Sequence, residues 1–400
     1  MNRSRTTADP RQRPLGSLSF FGFAVISFGG PLALAGLIAP AVIVGAGSRG
    51  GDSAGLAVVI AAAVFGVPLL IWLRYSQHVN GYGGLYDFVK AAAGPRVALV
   101  QASVWTISYL LYIIYTTEQI VYDLLPAVFP GVGSSLKTLL ALLIPITLAA
   151  VMIGGRRSAM ITAGLLAATQ LILVGILDGV TLANVSAPVS TFGTSSPAGE
   201  LAKAGFQNSL LYVCGSLPLF LGGELPRPSL TIRRGLVGTY LLTALVVLLA
   251  VAPLAGAPKL LGSEVPAVAV AHRFVGAGLA DAMGVGLALS IGGVMLAEYF
   301  ALARLLHAVG SWRLRPITLV IAVIVVGAAP LMLIDPHGLY DALVKPSLVA
   351  LWLSQLIVFA VYPRFARTHG QRLLPACALS LFASGLAIYG LYITLQHATS

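Results

Sequence analysis

Two short stretches place backbone-breaking residues in the middle of apolar runs: Ser27-Phe28-Gly29-Gly30-Pro31 and Cys214-Gly215-Ser216-Leu217-Pro218. Glycine loosens a helix, while proline lacks an amide hydrogen and sits well at the first position of a new helical segment. Each stretch therefore predicts two half-helices in place of one, with backbone carbonyl and N–H groups released at the join. A half-helix N-terminus suits a carboxylate, and exposed C-terminal carbonyls suit an ammonium group or a cation. Ser27, Gly29, Gly30, Cys214, Gly215, Ser216 and Leu217 are the candidate ligand contacts on these stretches. Tyr109 and Tyr112 are three apart, hence on one helical face, and are candidate walls of the same cavity.

A charge inside an apolar segment is costly and points to function by default. Glu118 and Glu298 are carboxylates so placed, and Glu224 follows the sixth segment directly. Glu118 falls in the outer part of the third apolar segment, as an outer gate or proton site or as an interfacial residue in water; Glu298 falls in the inner half of the eighth, as a proton or gating site or one half of a structural ion pair, so neither is expected at the centre. Arg304 follows Glu298 by six positions, which is the wrong spacing for one helical face, so a partner of Glu298 is expected on another helix. Glu224 ends the sixth segment beside Arg227, as one half of an inner-gate ion pair or as a simple helix-end charge. Ser290, next to Gly292 and Gly293, offers a cavity wall or a weak cation ligand, against the plainer role of close helix packing. Together Glu118, Glu224, Glu298 and Ser290 are the coupling or gating candidates. The six histidines fall in loops or at segment ends, and Cys214 and Cys377 stand alone. No nucleophile, base and acid converge at one depth and no metal-ligand spacing is present, so neither catalysis nor a cofactor is expected.

The elements that must hold these residues follow from composition. Of 400 residues 58% are hydrophobic and 9% charged, with a mean hydropathy of +0.93. Soluble domains are roughly 25% charged, so this composition excludes a soluble globule. Spanning a bilayer takes about 20 apolar residues in a helix. Segments of that kind lie at 18–46, 54–73, 97–125, 136–154, 160–180, 204–223, 236–254, 276–306, 317–334, 339–362 and 373–395. Eleven spans put most of the 24 Lys and Arg residues on the side of the N-terminus, leaving Arg49, Lys137, Lys203, Lys259 and Arg273 opposite and Lys345 within a span. That asymmetry places the N-terminus in the cytoplasm and the C-terminus outside, in a cytoplasmic membrane. It also accounts for the net charge of +11 without a nucleic-acid partner. The first and sixth spans, five apart, then enter from opposite sides. The expected architecture is an all-α membrane protein of about 11 transmembrane helices. It comprises a tail (1–17), a first inverted repeat (18–183), an outer loop (184–203), a second repeat (204–362), and an extra helix with a short C-terminus (363–400). The connectors 82–94 and 264–275 are amphipathic and either cap the bundle or are solvated, and 183–201 is the longest polar loop.

Two motifs connect this pattern with a known group. Gly81-Tyr82-Gly83-Gly84-Leu85-Tyr86 with Gly94-Pro95, and Glu224-Leu225-Pro226-Arg227-Pro228 with Ile232-Arg233-Arg234-Gly235, resemble the connections after spans 2 and 6 of the amino acid, polyamine and organocation (APC) permease superfamily. The resemblance covers spans 1 to 8. It implies an inverted-repeat permease working by alternating access, without enzymatic turnover, on a small-molecule solute. The family's span 1 patch is commonly Gly-Ser-Gly, whereas Phe28-Gly29-Gly30 stands here with Pro31 next, removing one donor to a substrate carboxylate. The span 5 lysine of many proton-coupled relatives is absent, so coupling to H+ or Na+ is left open. Backbone dipoles and hydroxyls at the two breaks favour an amino acid or related small amine. A non-transporting membrane scaffold or sensor that keeps the permease fold is the alternative. Solute, direction and oligomeric state are not fixed by these residues.

Overall fold

The computed structural model describes residues 14–37, 53–186, 189–194 and 196–396. Most of the tail expected over 1–17, the end of the first span as expected over 18–46, and Arg49 lie outside the described residues. The chain forms α1 (Ser17–Ser27), α2 (Pro31–Leu37), α3 (Ala54–Ser76), α4 (Leu85–Ala93) and α5 (Pro95–Glu118). α5 runs on through a π-helical turn, Gln119–Leu124, to Val128. There follow α6 (Ser134–Ile153), α7 (Gly155–Asn184) and α8 (Ala198–Ser209), the last continuing as a 3-10 helix over Leu210–Glu224. The remainder is α9 (Pro228–Leu254), α10 (Pro266–Phe274), α11 (Ala277–Gly310), α12 (Leu314–Ile334), α13 (Pro336–Ala360), α14 (Tyr362–Thr368) and α15 (Leu373–Gln396). Among the described residues ten helices, α1 with α2 counted as one, are long and apolar enough to cross a membrane. This is a multi-pass membrane protein.

These helices are apolar nearly all round, because the bilayer offers no water to either face. Large side chains such as Leu165, Ile172, Val323 and Leu381 are more than half exposed on the outer surface, where lipid replaces water. Aromatic bulk is inside: Phe23, Phe28, Trp72, Trp105, Tyr299 and Phe300 are fully buried. At the centre α1 packs on α7, α9, α11 and the 3-10 run. α13 lies against α5 and α15, and α12 against α6. α1 and α7 approach closely at a pair of glycines, where a Cβ on Gly22 would stand in ordinary contact, 3.4 Å, with the Gly164 backbone.

The connectors are more ordered than a solvated reading of the sequence allows. α4 buries Leu85, Tyr86, Phe88, Val89 and Ala92 under the bundle, and α10 buries Pro266, Ala267, Val270 and Ala271 against α11, α7 and α2. The polar segment after α7 is pinned to the start of α3: Ser53 donates to the Gly193 carbonyl at 2.7 Å, and the Gly55 N–H donates to Thr191 at 2.9 Å.

Candidate functional site

The first break is present. Gly29 and Gly30 both take left-handed conformations, with φ of 76° and 70°, which cost an ordinary residue but not glycine. The last bond of α1 runs from the Phe28 N–H to the Ala24 carbonyl, and α2 opens with Leu34 N–H on Gly30 O, Pro31 taking the position where no amide is needed. The second break takes a different form from the two half-helices expected. The backbone stays helical through Cys214-Gly215-Ser216-Leu217-Pro218 but is wound as a 3-10 helix for 15 residues. Runs of that type beyond three or four residues are uncommon, and a mid-helix one marks a hinge or strain.

The two irregular stretches meet. The Phe28 ring lies on Gly215, where any Cβ would collide with it. Beside it Phe65, Tyr212 and Tyr240 complete an aromatic cluster, with ring centroids 5.6 to 6.1 Å apart. Across the join Trp105 stacks on Tyr109 at 4.0 Å and reaches Phe220 at 4.7 Å. The Tyr109 hydroxyl faces Cys214 and Ser216 yet makes no hydrogen bond of ordinary geometry. Tyr112 is less buried and packs on Tyr115 at 5.1 Å, continuing the wall. Ser27 donates back to the Phe23 carbonyl at 2.7 Å, Ser216 to Val213 at 3.2 Å, and Leu217 is core.

Glu298 stands at this meeting point, not displaced toward one end as its sequence position suggests. It is completely buried on α11, Cys214 donates its thiol to Oε1 at 3.7 Å, and Oε2 has no partner. The partner, on another segment, is a thiol and not the cation that an ion pair would need. Ser290, two turns earlier, holds the other side of the break. Its hydroxyl donates to Gln170 Oε1 at 2.9 Å and accepts the Ala33 N–H of α2 at 3.2 Å. Gly30 is wedged against both, and a Cβ there would collide with Ser290. Ser290 is therefore a cap on the half-helix as well as a wall. Gln170 is a site residue that span-by-span reading missed; a lone amide in an apolar run at 160–180 was the available signal.

Glu224 does not pair with Arg227. Its carboxylate meets Arg304 at 2.8 Å and Arg156 at 3.3 Å, from α11 and α7, with the Glu224 and Arg304 side chains only 4% and 6% exposed. The Leu15 N–H also donates to the Glu224 carbonyl at 3.0 Å, so four parts of the chain are tied at this end. The glycine motif of residues 81–84 explains itself here. Gly223 N–H donates to the Gly81 carbonyl at 3.1 Å, and the Phe220 ring covers Gly84, whose φ is 52°. Two sequence motifs that lie far apart in the chain are thus one contact. Glu118 sits at the opposite end of the bundle, away from this site. It is completely buried just before the π-helical turn, 3.6 Å from His337.

The arrangement gathers a released backbone segment, a buried carboxylate, hydroxyl and thiol donors and aromatic side chains at one place, with an ion-pair cluster toward one end. A cavity of about 910 Å³ lined by Arg74, Arg233, Arg234 and Arg372 lies at the periphery.

No protein-family model and no curated protein matches the chain. Among solved structures, the crystal structure of MhsT in complex with L-phenylalanine matches at 14% identity and a TM-score of 0.64, covering 97% of this chain and all of that one. The chain shares the fold of MhsT over nearly its whole length.

Proposed function

We propose that this protein is a secondary transporter of the APC type, moving an amino acid or related small amine across the cytoplasmic membrane by alternating access. The observation that carries the reading is the buried Glu298 carboxylate with one unpartnered oxygen, set where Gly29-Gly30 and the 3-10 run through Cys214-Gly215 meet. A buried carboxylate without a partner is costly, and a solute ammonium group relieves that cost. MhsT, similar in fold, is described with L-phenylalanine bound, which agrees with a solute bearing an amine and an apolar side chain. In this reading the carbonyls released around Ser27 and Gly29 share the ammonium, and Tyr109, Tyr112, Ser216 and Leu217 shape the pocket.

In this reading the tail 1–17 leads into a first inverted half, 18–183, and the loop 184–203 into a second, 204–362, which opens with the span through Cys214-Gly215; 363–400 carries the appended helix. The N-terminus faces the cytoplasm. The Glu224–Arg304–Arg156 cluster is the inner gate, closed here. Coupling to H+ is read at Glu298, and coupling to Na+ at the paired oxygens of Ser290 and Gln170.

Flux of labelled amino acids and amines into proteoliposomes, with imposed H+ or Na+ gradients, tests this. Gly30→Leu and Gly215→Leu abolish uptake with expression intact, and Glu298→Gln abolishes solute binding. Full uptake by both glycine variants rejects the site. The internal cap that Ser290 places on α2 favours the second reading, a non-transporting scaffold or sensor; binding without flux under any gradient would select it.

A further inference from the structure

Glu118 is a carboxylate with 0% exposure whose two oxygens accept no hydrogen bond. The imidazole of His337 stands beside it, with Nδ1 3.6 Å from Oε1. One ligand atom each from Glu118, Asp123 and His337 lie within 4.8 Å of one another. Asp341 and Glu264 add negative charge next to this group, Asp341 beside Glu118 and Glu264 beside Asp123. Among the described residues no Lys or Arg forms an ion pair with Glu118 or Asp123. A chain with a net charge of +11 and only 13 acidic residues thus gathers four of them round one histidine, at its cation-poor end.

The backbone is built for this convergence. In an α-helix, residues five apart point about 140° away from each other, so Glu118 and Asp123 would diverge. Here the helix widens to a π-turn over Gln119–Leu124, and the Leu125 N–H reaches back five residues to the Ile120 carbonyl. Five-residue hydrogen bonding sets residue i+5 near residue i, and single π-turns inside α-helices occur frequently at functional sites. His337 arrives from the first turn of α13, whose N-terminus is fixed by Asp335 accepting the Gly338 N–H at 3.0 Å.

We infer that Glu118, Asp123 and His337 form a binding site for a transition-type divalent cation such as Zn2+, open to the side of the membrane opposite the Glu224 cluster. Two carboxylate oxygens and one imidazole nitrogen are the donor set, and imidazole is what separates Zn2+, Ni2+ and Co2+ from Ca2+ and Mg2+. Bond lengths of about 2.0–2.2 Å need the three donor atoms drawn closer than they stand. Asp123 and His337 are exposed and can make that movement, while Glu118 is held rigidly. Water fills the remaining coordination positions. A cation there cross-links α5 to α13, the pair flanking the outer end of the bundle, and neutralises the buried carboxylate. No spacing rule finds this site, because His337 lies more than two hundred residues beyond the two carboxylates in the chain. It is independent of the transport reading, since its test measures binding.

The test is calorimetric titration of the purified full-length protein, stripped with chelator, using Zn2+, Co2+ and Ca2+ as probes. One equivalent of Zn2+ binds, and Co2+ develops the visible absorption of a low-symmetry site with a nitrogen donor. Asp123→Asn and His337→Ala, both at exposed positions where folding is not at risk, weaken Zn2+ at least tenfold. Glu118→Gln does the same, provided its elution profile is native. Absence of binding at millimolar Zn2+, tighter binding of Ca2+ than of Zn2+, or unchanged affinity in both exposed-position variants would overturn the assignment.

Discussion

Neutralising Glu224 offers the most direct measurement of the proposed inner gate. In Glu224→Gln the Arg304 guanidinium keeps its place over the Phe300 ring, 3.8 Å away, but loses, at a position 6% exposed, the one carboxylate within ion-pair distance among the described residues. Breaking a buried pair by removing one partner costs about 3–5 kcal/mol. Arg156 touches the same carboxylate at 3.3 Å but is 22% exposed, so its contribution is that of a partly solvated pair, at most about 1 kcal/mol. If the cluster holds the proposed pathway shut, these costs appear as a shift toward the open state. With about 1.4 kcal/mol per factor of ten, a 3 kcal/mol loss raises the open population roughly a hundredfold, and Arg156→Ala raises it about fivefold at most. Cys214 is a natural reporter, because its thiol is buried against Glu298 where the two irregular stretches meet. In a Cys377→Ser background, its alkylation by a polar maleimide applied to the Arg-rich face follows the open population when closing is fast. The expected order is native, then Arg156→Ala, then Glu224→Gln, with the largest step last. Equal acceleration by the two variants, or none by Glu224→Gln in protein with a native circular dichroism spectrum, would refute the gate.

Three further outcomes are expected. Gly30→Ala destabilises the protein by about 1–3 kcal/mol, from overpacking and a left-handed φ, and Ser290→Ala in the same chain recovers part of the loss in thermal unfolding. Burial pushes the Asp87 carboxyl above its usual range although the Gly83 N–H donates to it at 2.9 Å, so ionisation opposes folding and stability falls as pH rises through that window; Asp87→Asn is at least as stable as the native protein at pH 7, whereas Asp87→Ala leaves the amide unpaired and loses about 1 kcal/mol or more in denaturant titration. Burial, then the neighbouring His369 ring at 4.6 Å, holds His78 below the ordinary imidazole range, so its contribution is complete above about pH 6.5 and is lost as pH falls through the lowered value; His369→Ala flattens the acid side of the melting-temperature profile.

Much of the architecture is legible in one dimension, because a bilayer forces each crossing to be long, apolar and helical. The eleven apolar segments read at 18–46 through 373–395 each contain a helix in the described residues, and the Gly29-Gly30-Pro31 break follows from backbone chemistry alone. What escapes is whatever depends on which faces turn toward one another. Glu224 is drawn to Arg304 and Arg156 over its sequence neighbour Arg227 because those two share its buried depth. Glu298 is off-centre along its own helix yet central in the bundle, since α11 is long and the 3-10 run brings Cys214 to it. The widened turn after Glu118 carries no proline or glycine to announce it, so an α-helix was the natural reading there. Gln170 gains its meaning only from Ser290, 120 positions away.

The tight winding of Leu210–Glu224 also has a mechanical side. A 3-10 helix rises about 2.0 Å per residue and an α-helix about 1.5 Å, so relaxing these 15 residues would shorten the segment by roughly 7 Å and rotate every side chain on it. One end of the segment is held by the Glu224 cluster and its middle is packed by the Phe28 ring. A change of that length exceeds one full α-helical turn and would carry α8, at the free end, toward the cluster.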